Sequence, residues 1–224
     1  MIVYIDDVLT AEELQQLRFE AGRLAFVPGT ETAGTRAQRV KHNEQISQKA
    51  DGRKVLQDII LTALTRNKRF NRTAFPKSIR PPLISRYRQA MAYGRHVDSA
   101  LMGPKMLRER ADISITVFIS DADEYDGGEL LIHSLSGTQR VKLRSGSAVL
   151  YPSSSLHEVS EVSRGERLVA VTWVQSHVRD ERQREILAHL DQVREKMNAI
   201  AADAPETDLA HHAYANLLRM WAEA

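Results

Sequence analysis

The amino-acid sequence predicts an α+β fold, in which helices precede a jelly-roll-like β core and a helical hairpin follows it. Two observations support this prediction: amphipathic helical spacing near both ends, and short strands separated by turn clusters between residues 83 and 178. The turns recur about every 8 to 12 residues, which is typical of an all-β sandwich or barrel. No helical pattern interrupts this block, which argues against a parallel sheet with helical crossovers.

The N-terminal helices have clear sequence signals. Thr10 and Glu13 have the spacing of a capping box, and Leu9 and Leu14 have that of a hydrophobic staple, so a helix begins near Thr10. The segment PGTETAGTR, residues 28–36, predicts a loop. A second helix is expected from about residue 51 to residue 66, where apolar residues recur at helical spacing: Val55, Leu56, Ile59, Ile60 and Leu64.

Strand patterns dominate the middle of the chain. In DISITVFIS, residues 112–120, isoleucine and valine alternate with Ser114, Thr116 and Phe118, so the two sets lie on opposite faces of one strand. Further strands are predicted in ELLIHS, QRVKL, SAVLY, HEVSEV and RLVAVTWVQ. The segment SRGE, residues 163–166, is expected to form a hairpin turn that places His157 and Arg167 on adjacent strands.

The C-terminal segment returns to helical spacing. Its first apolar stripe consists of Ile186, Leu187, Leu190, Val193, Met197 and Ile200, and ADAPET separates it from a second helix that ends near Trp221. These stripes are larger than two helices can cover on each other. We therefore expect the hairpin to dock on the β core or on a second subunit, and we predict a homodimer.

Composition excludes several classes of protein and site. The 224 residues can bury a full core, and a net charge of +2 with scattered basic residues predicts no nucleic-acid partner. The chain has no cysteine, which excludes disulfides and thiolate ligands, so a metal would be held by nitrogen and oxygen. The N-terminus lacks the pattern of a signal peptide, and no apolar run approaches the roughly 20 residues of a membrane span. We expect a cytoplasmic protein with no membrane partner.

The segment AYGRHVDSALMG places His96 and Asp98 two residues apart. On an extended strand such residues point the same way and can converge on one metal ion, but the pair alone also fits two polar residues that alternate on a strand. The β block offers three candidates for a third ligand: His133, His157 and His177. His157 is distinguished by its position directly after the turn YPSSSL.

Arg167 begins a strongly apolar strand and shares a face with Val169, Val171 and Trp173. An arginine at the head of such a face needs an anionic partner. A bound carboxylate is one candidate partner, and a structural salt bridge to Glu158 or Glu161 is the alternative. Trp173 either lines a pocket or packs in the core.

Three long segments carry a resemblance to a known family: ISRYRQAMAYGRHVDSALM, DISITVFISDADEYDGGELLIH and YPSSSLHEVSEVSRGERLVAVTWVQSHVRD. Together with the helical tail they resemble the bacterial PKHD-type hydroxylases, which are iron(II)- and 2-oxoglutarate-dependent dioxygenases of the prolyl 4-hydroxylase type and are often associated with iron uptake. The resemblance covers nearly the whole chain. It includes His-x-Asp, a histidine 59 residues after the aspartate, and an arginine ten residues beyond that histidine.

This resemblance implies roles for five residues. His96, Asp98 and His157 would bind Fe(2+), Arg167 would bind the distal carboxylate of 2-oxoglutarate, and Tyr87 would line the co-substrate pocket. Two imidazoles and one carboxylate leave three iron positions open, which suits a chelating 2-oxo acid and dioxygen. The resemblance implies hydroxylation with release of succinate and CO2, and L-ascorbate (vitamin C) as a further cofactor. Related halogenases have a small residue where this chain has Asp98.

The predicted domains are a dioxygenase domain, residues 1–178, and a C-terminal helical extension, residues 179–224. The catalytic core, about residues 78–178, would be a double-stranded β-helix (jelly roll). A non-catalytic metal or ligand binder and a cupin-like metalloenzyme are the alternative functions, and Tyr87 as an ordinary strand tyrosine is an alternative to its pocket role. His133 and His177 are expected to have no metal role. The substrate, a small molecule or a peptide, would contact segments 28–48 and 99–110.

Overall fold

Two antiparallel sheets stack face to face in the computed structural model, which describes residues 1–104 and 106–223. Lys105, in the segment 99–110, and Ala224, at the end of the predicted extension, lie outside the described residues. The strands are β1 (Val3–Ile5), β2 (Phe26–Pro28), β3 (Lys41–His42), β4 (Glu44–Ile46), β5 (Pro76–Ile79), β6 (Leu83–Tyr87), β7 (Ala92–His96), β8 (Leu101–Met102), β9 (Glu109–Arg110), β10 (Ile113–Phe118), β11 (Tyr125–Gly127), β12 (Leu130–Ser134), β13 (Gly137–Val141), β14 (Ala148–Pro152), β15 (Leu156–Val159), β16 (Val162–Gly165) and β17 (Arg167–Ser176).

The larger sheet has the order β1-β14-β10-β17-β6-β4-β2, with β5 also paired to β17, and the smaller sheet has the order β13-β12-β15-β7-β3. Strands β8 and β9 pair with each other, as do β11 and β16. The helices are α1 (Ala11–Gly22), α2 (Thr35–Gln38), α3 (Arg53–Arg66), α4 (Lys68–Ala74), α5 (Glu181–Ile200) and α6 (Pro205–Trp221). A short 3-10 helix spans Gly29–Thr32.

Two apolar clusters explain this arrangement. On one face of the larger sheet, Ile113, Ile115 and Val117 of β10 pack in a cluster with residues of α1 and α3, such as Leu17 and Leu56. Between the two sheets, a second cluster joins Phe118 and Val169 of the larger sheet to Leu130 and Ile132 of the smaller one. The alternation in DISITVFIS therefore separates a helix-facing side from a side that faces the inside of the jelly roll, and the predicted α+β jelly-roll class is confirmed.

The predicted helical boundaries hold closely at the N-terminus. Thr10 Oγ1 accepts a hydrogen bond from Glu13 N at 3.3 Å, and Glu13 Oε2 accepts one from Thr10 N at 2.9 Å, so the capping box is present. The helix expected at 51–66 is α3. Helix α4 follows it after a side-chain cap from Asn67 and buries Phe70, and the apolar spacing of the sequence did not reveal it.

The predicted hairpin between His157 and Arg167 is wrong. Strand β15 belongs to the smaller sheet and pairs with β12 and β7, whereas β17 belongs to the larger sheet and pairs with β10, β6 and β5. Most of SRGE forms β16, which pairs with β11 instead. Gly165 has φ +77° and packs against the backbone of Glu124 so closely that a side chain would not fit. The chain thus crosses from one sheet to the other between His157 and Arg167.

Helices α5 and α6 pack against each other and form the predicted hairpin. Val178, before α5, and Ala222, after α6, form an antiparallel β-bridge that joins the two ends of the hairpin. Helix α5 packs on α4, where Arg72 forms an ion pair with Asp191 at 2.6 Å. The division at residue 178 and the homodimer stay predictions. Within the described residues, no helix combines the length and the apolar character that a membrane crossing requires.

Candidate metal centre

A cavity of about 480 Å³ opens between the two sheets. Both sheets contribute to its wall, through β7 and β15 on one side and β6, β10 and β17 on the other. Parts of the segments 28–48 and 99–110 complete its lining. His96, Asp98, His157, Arg167 and Tyr87 all line this cavity, so the structure brings every predicted site residue together.

His96, Asp98 and His157 form a compact group of possible metal ligands. One donor atom from each lies within 4.8 Å of the other two, and His157 Nε2 is 3.8 Å from Asp98 Oδ2. The pairing of β15 with β7 places His157 directly opposite His96. Asp98 lies two residues beyond the end of β7 rather than on the strand, so the strand alternation expected of this pair does not extend to the aspartate.

Neighbouring groups orient each of these side chains. His96 Nδ1 lies 2.8 Å from the carbonyl oxygen of Gly94, and His157 Nδ1 lies 3.0 Å from that of Ser155. Since a carbonyl only accepts, each Nδ1 carries the hydrogen and each Nε2 keeps a free lone pair. The Ser114 hydroxyl of β10 donates to Asp98 Oδ2 at 2.5 Å, which ties the carboxylate to the larger sheet.

The environment keeps His96 neutral at pH 7. Burial, and after it the neighbouring His157, lowers the pKa of His96 to about 4. The Tyr93 ring stacks on His96 with the ring centres 3.6 Å apart, and Tyr151 contacts His157 edge-on at 5.1 Å. A neutral imidazole is the form that binds a metal ion, so protons compete weakly for this site.

The donor set fits iron(II). Two imidazole nitrogens and one carboxylate oxygen, with no sulfur, match the two-histidine, one-carboxylate set of non-haem Fe(II) oxygenases. The other strand histidines lie elsewhere: His133 contacts Thr138 and Glu158, and His177 lies near the carbonyl of Glu223. Within residues 1–104 and 106–223, no other group of three histidines and carboxylates has metal-ligand spacing.

Arg167 is buried, and the part of the chain that the structure describes offers it no anionic partner. It is the first residue of β17, is only 1% exposed, and directs its guanidinium over the rings of Tyr87 (5.0 Å) and Phe118 (5.7 Å). Its Nε lacks a hydrogen-bond partner, and no ion pair to it occurs within the described residues. Glu158, one proposed partner, pairs with Arg95 instead, at 3.4 Å. A buried guanidinium in this state favours binding of an anion.

Gly128 makes room for this arginine. Its φ of +62° lies in the left-handed region, and a Cβ there would lie 3.0 Å from Arg167 Cδ and 2.9 Å from Val162 Cγ2. A side chain at residue 128 would therefore press on the arginine stem as well as strain the backbone. The second glycine of DGGE thus helps to shape the pocket around the guanidinium.

Tyr87 and Trp173 both belong to the cavity wall. Tyr87 lies opposite Arg167 in the β6–β17 pairing, and burial raises the pKa of its hydroxyl. Trp173 lines the cavity farther along β17, so its side chain faces the pocket rather than only the core. The ordinary-strand alternative for Tyr87 is thereby weakened, because its ring directly contacts the candidate anion-binding group.

Several site residues were missed from the sequence. The alternation in DISITVFIS puts Ser114 and Thr116 on the face opposite the isoleucines. Two polar residues on the inner face of a jelly roll indicate a pocket, so this pattern could have identified them. Lys41 and Asn43 belong to the segment 28–48 that is expected to contact the substrate, but the sequence does not single them out. The pairing of β3 with β7 brings this segment to the cavity. Burial lowers the pKa of Lys41 to about 8, and the nearby Asp98 offsets part of that shift.

Comparisons with known proteins agree with this geometry. Residues 82–175 match the sequence model of the 2OG-Fe(II) oxygenase superfamily. PKHD-type hydroxylases from Synechococcus elongatus and Thermosynechococcus vestitus are 44% and 45% identical over 223 residues, and one from Burkholderia ambifaria is 42% identical over 226 residues. Each alignment covers 100% of both chains.

Solved structures show the same fold at lower identity. A prolyl-4-hydroxylase from Pseudomonas putida superposes with a TM-score of 0.53 at 19% identity, covering 78% of this chain and 92% of that one. A prolyl hydroxylase from Trichoplax adhaerens, solved with a peptide fragment of hypoxia inducible factor, gives a TM-score of 0.54 at 14% identity, with 83% and 86% covered. These similarities support the jelly-roll fold.

The low pKa of His96 predicts a pH dependence for the metal-free protein. Its imidazole titrates near 6.5 in the unfolded chain and at about 4 in the folded one, so the unfolded chain binds this proton first. The free energy of unfolding should therefore be highest above about pH 6.5, fall as the pH drops from about 6.5 towards 4, and show no dependence on this group above that window. Urea unfolding with a chelator, compared between wild type and His96→Asn, measures it. His177→Gln removes an exposed imidazole and is the matched control. Identical pH profiles for wild type and His96→Asn would contradict the prediction.

Proposed function

This chain belongs to the PKHD-type hydroxylases of the 2OG-Fe(II) oxygenase superfamily, and we propose that it hydroxylates its substrate with Fe(2+) and 2-oxoglutarate and releases succinate and CO2. The observation that carries the proposal is that the group of His96, Asp98 and His157 shares one cavity with the buried Arg167, which forms no ion pair within the described residues. A dicarboxylate that chelates a metal ion through one end needs a metal-binding group for that end and an anion-binding group for its other carboxylate, both in one cavity.

In this proposal His96 and His157 bind iron through Nε2, and Asp98 binds it through its carboxylate. Bound iron supplies the activation of dioxygen, coupled to the decarboxylation of 2-oxoglutarate, so that one oxygen atom enters a substrate C–H bond and the other enters succinate. The carbonyls of Gly94 and Ser155 hold the two imidazoles in one tautomer. The serine hydroxyl at position 114 fixes the orientation of the aspartate.

Arg167 would bind the distal carboxylate of 2-oxoglutarate. Its guanidinium can donate two parallel hydrogen bonds to one carboxylate, and its burial excludes the water that would weaken them. The Tyr87 ring lies on one side of this position and orients the co-substrate by contact. Because Arg167 is buried, a carboxylate that binds it through both oxygens is favoured over a small ion that exchanges with the solvent.

Finer expectations belong to the same proposal. L-ascorbate would keep the iron in its reduced state between turnovers, and the protein would be a cytoplasmic homodimer without nucleic-acid partners. Exposed apolar residues on the C-terminal hairpin, such as Ile200 and Leu209, support the dimer. A cupin-like centre would bring additional histidines to the metal, and within the described residues none joins this group.

The ligand assignment predicts a spectroscopic signature. Anaerobic addition of Fe(II) and 2-oxoglutarate should give one iron per chain and a weak visible charge-transfer band. His157→Ala should abolish the band, because the remaining two ligands do not hold the metal in place. His133→Ala, which removes an imidazole from the same sheet but outside the group, is the matched control and should leave the band unchanged. Persistence of the band in His157→Ala would mean that another residue is the third ligand.

The assignment of Arg167 predicts a selective loss of co-substrate affinity. Removing one partner of a buried charged pair costs on the order of 2–5 kcal/mol, so Arg167→Ala should weaken 2-oxoglutarate binding by about 30- to 4,000-fold. Arg167→Lys should recover part of the lost affinity, because lysine keeps the positive charge but cannot donate two parallel hydrogen bonds to one carboxylate. Iron binding should be nearly unchanged in both variants, whereas Asp98→Ala should impair iron and co-substrate together. Titrations of Fe(II) and of 2-oxoglutarate, with thermal melts alongside, measure this. Wild-type affinity for 2-oxoglutarate in Arg167→Ala would disprove the assignment.

A further inference from the structure

The cavity wall carries more positive than negative charge. Within the described residues, its charged side chains other than histidines are Lys41, Arg53, Arg80, Arg167 and Asp98. Arg80 is neutralised by Glu109, at 2.9 Å. In the proposed complex the charge of Fe(II) cancels that of 2-oxoglutarate, and Arg167 cancels Asp98. Lys41 and Arg53 are then two cations that no component of the proposed active site balances.

Lys41 is held close to the metal centre. Its amino group lies 5.3 Å from the centre of the Tyr93 ring, and the same ring stacks on His96. Lys41 Nζ donates one hydrogen bond, to Thr32 Oγ1 at 3.1 Å, and no ion pair to it occurs within the described residues. An ammonium has three donors, so two remain for a ligand in the cavity.

A chain of hydrogen bonds, exposed at Thr32 and buried at Gln45 and Ser85, positions this ammonium. The Thr32 hydroxyl that accepts from Lys41 also bonds Gln45 Oε1, and Gln45 Nε2 donates to Ser85 Oγ at 2.9 Å. Gln45 and Ser85 are both buried, on β4 and β6 of the larger sheet. A flexible lysine held in this way loses little further freedom when it binds a ligand, which favours a specific contact.

Asn43 provides an independent sign of a ligand beside Lys41. Its side chain is 5% exposed and lines the cavity, yet within the described residues neither Oδ1 nor Nδ2 makes a hydrogen bond of good geometry, although the Tyr87 hydroxyl lies nearby. A Cβ added to Gly29 would contact both Asn43 Oδ1 and Lys41 Cε, so the two side chains run past the same point. An unpaired buried amide costs free energy that a hydrogen-bonding ligand would recover.

Arg53 extends the positive region along the same wall. It begins α3 and lines the cavity, and its Nη1 lies 3.2 Å from Gln48 Oε1, a neutral partner. Facing these polar residues, Val97 and Leu101 are half exposed and line the other part of the opening. The opening thus combines a cationic wall with an apolar one.

We propose that the substrate is a small molecule that joins an oxyanion, a carboxylate or a phosphate, to a short apolar segment. Lys41 and Asn43 bind the oxyanion with support from Arg53, and the apolar segment reaches past Val97 towards the metal centre. This inference rests on the proposed function, because the charge balance includes iron and 2-oxoglutarate.

A matched series of five-carbon probes tests the charge preference. Pentanoate, pentyl phosphate, pentanamide and pentylammonium each contain five carbons and differ in the head group; pentanoate and pentanamide are the pair with identical apolar chains. Calorimetric titration into the anaerobic protein with Fe(II) and 2-oxoglutarate should show the anions binding at least about tenfold more tightly than the amide, with the ammonium weakest. The tighter of the two anions identifies the oxyanion class.

Substitutions of the two cations test whether they cause the preference for anions. Lys41→Gln and Arg53→Gln should each weaken binding of the tighter anion by about 10- to 100-fold, the range for hydrogen bonds to charged groups, and leave pentanamide binding unchanged. Affinity for 2-oxoglutarate should stay within about threefold of wild type. Lys54→Gln removes an exposed neighbour that pairs with Asp58 at 2.8 Å and is the matched control. Thermal melts verify that each variant is folded.

The outcomes separate the inference from the proposed function. Equal affinity for the anions and the amide, or anions too weak to measure, would overturn the inference. A loss of 2-oxoglutarate affinity in Lys41→Gln with the anion preference intact would also overturn it, by assigning Lys41 to the co-substrate. Failure of the wild-type protein to form the Fe(II)–2-oxoglutarate band would contradict the proposed function instead, and anion binding would still be measured calorimetrically.

Discussion

The pairing of β7 with β15 is the constraint on which the candidate site depends. It sets His157 opposite His96, and a slip of one residue in this register would turn one imidazole to the other face of the sheet. Asp98, just beyond β7, is then held from the larger sheet by Ser114. The metal group therefore spans the space between the sheets, and its geometry is as rigid as their packing.

The same packing provides the dry environment that the chemistry requires. Apolar residues of both sheets form one cluster beside the cavity, and Arg167 is buried against the aromatic rings of that cluster. Low water content strengthens the attraction between a guanidinium and a carboxylate, and it also keeps His96 neutral for metal binding. Helices α1, α3 and α4 pack their apolar residues on the opposite face of the larger sheet, and α3 also contributes Arg53 to the cavity wall.

Local sequence signals predicted those parts of the fold that depend on neighbours in the chain. The capping box at Thr10, the alternation in DISITVFIS and the C-terminal hairpin were all found in this way. The sequence did not predict the path of the chain from His157 to Arg167. The chain crosses between the sheets there, and such a crossing depends on long-range strand pairing that a turn-like sequence does not specify. For the site, family resemblance supplied the four signature residues and Tyr87. Lys41 and Asn43 lie in and next to the two-residue strand β3, which reaches the cavity through its long-range pairing with β7.

A crystal structure of the anaerobic protein with Fe(II) and 2-oxoglutarate tests the assignment of both binding groups most directly. Anomalous scattering from iron should appear next to His96 Nε2, His157 Nε2 and the Asp98 carboxylate. The distal carboxylate of 2-oxoglutarate should accept two hydrogen bonds from the Arg167 guanidinium. Iron bound at other residues, or a distal carboxylate away from Arg167, would contradict the assignment.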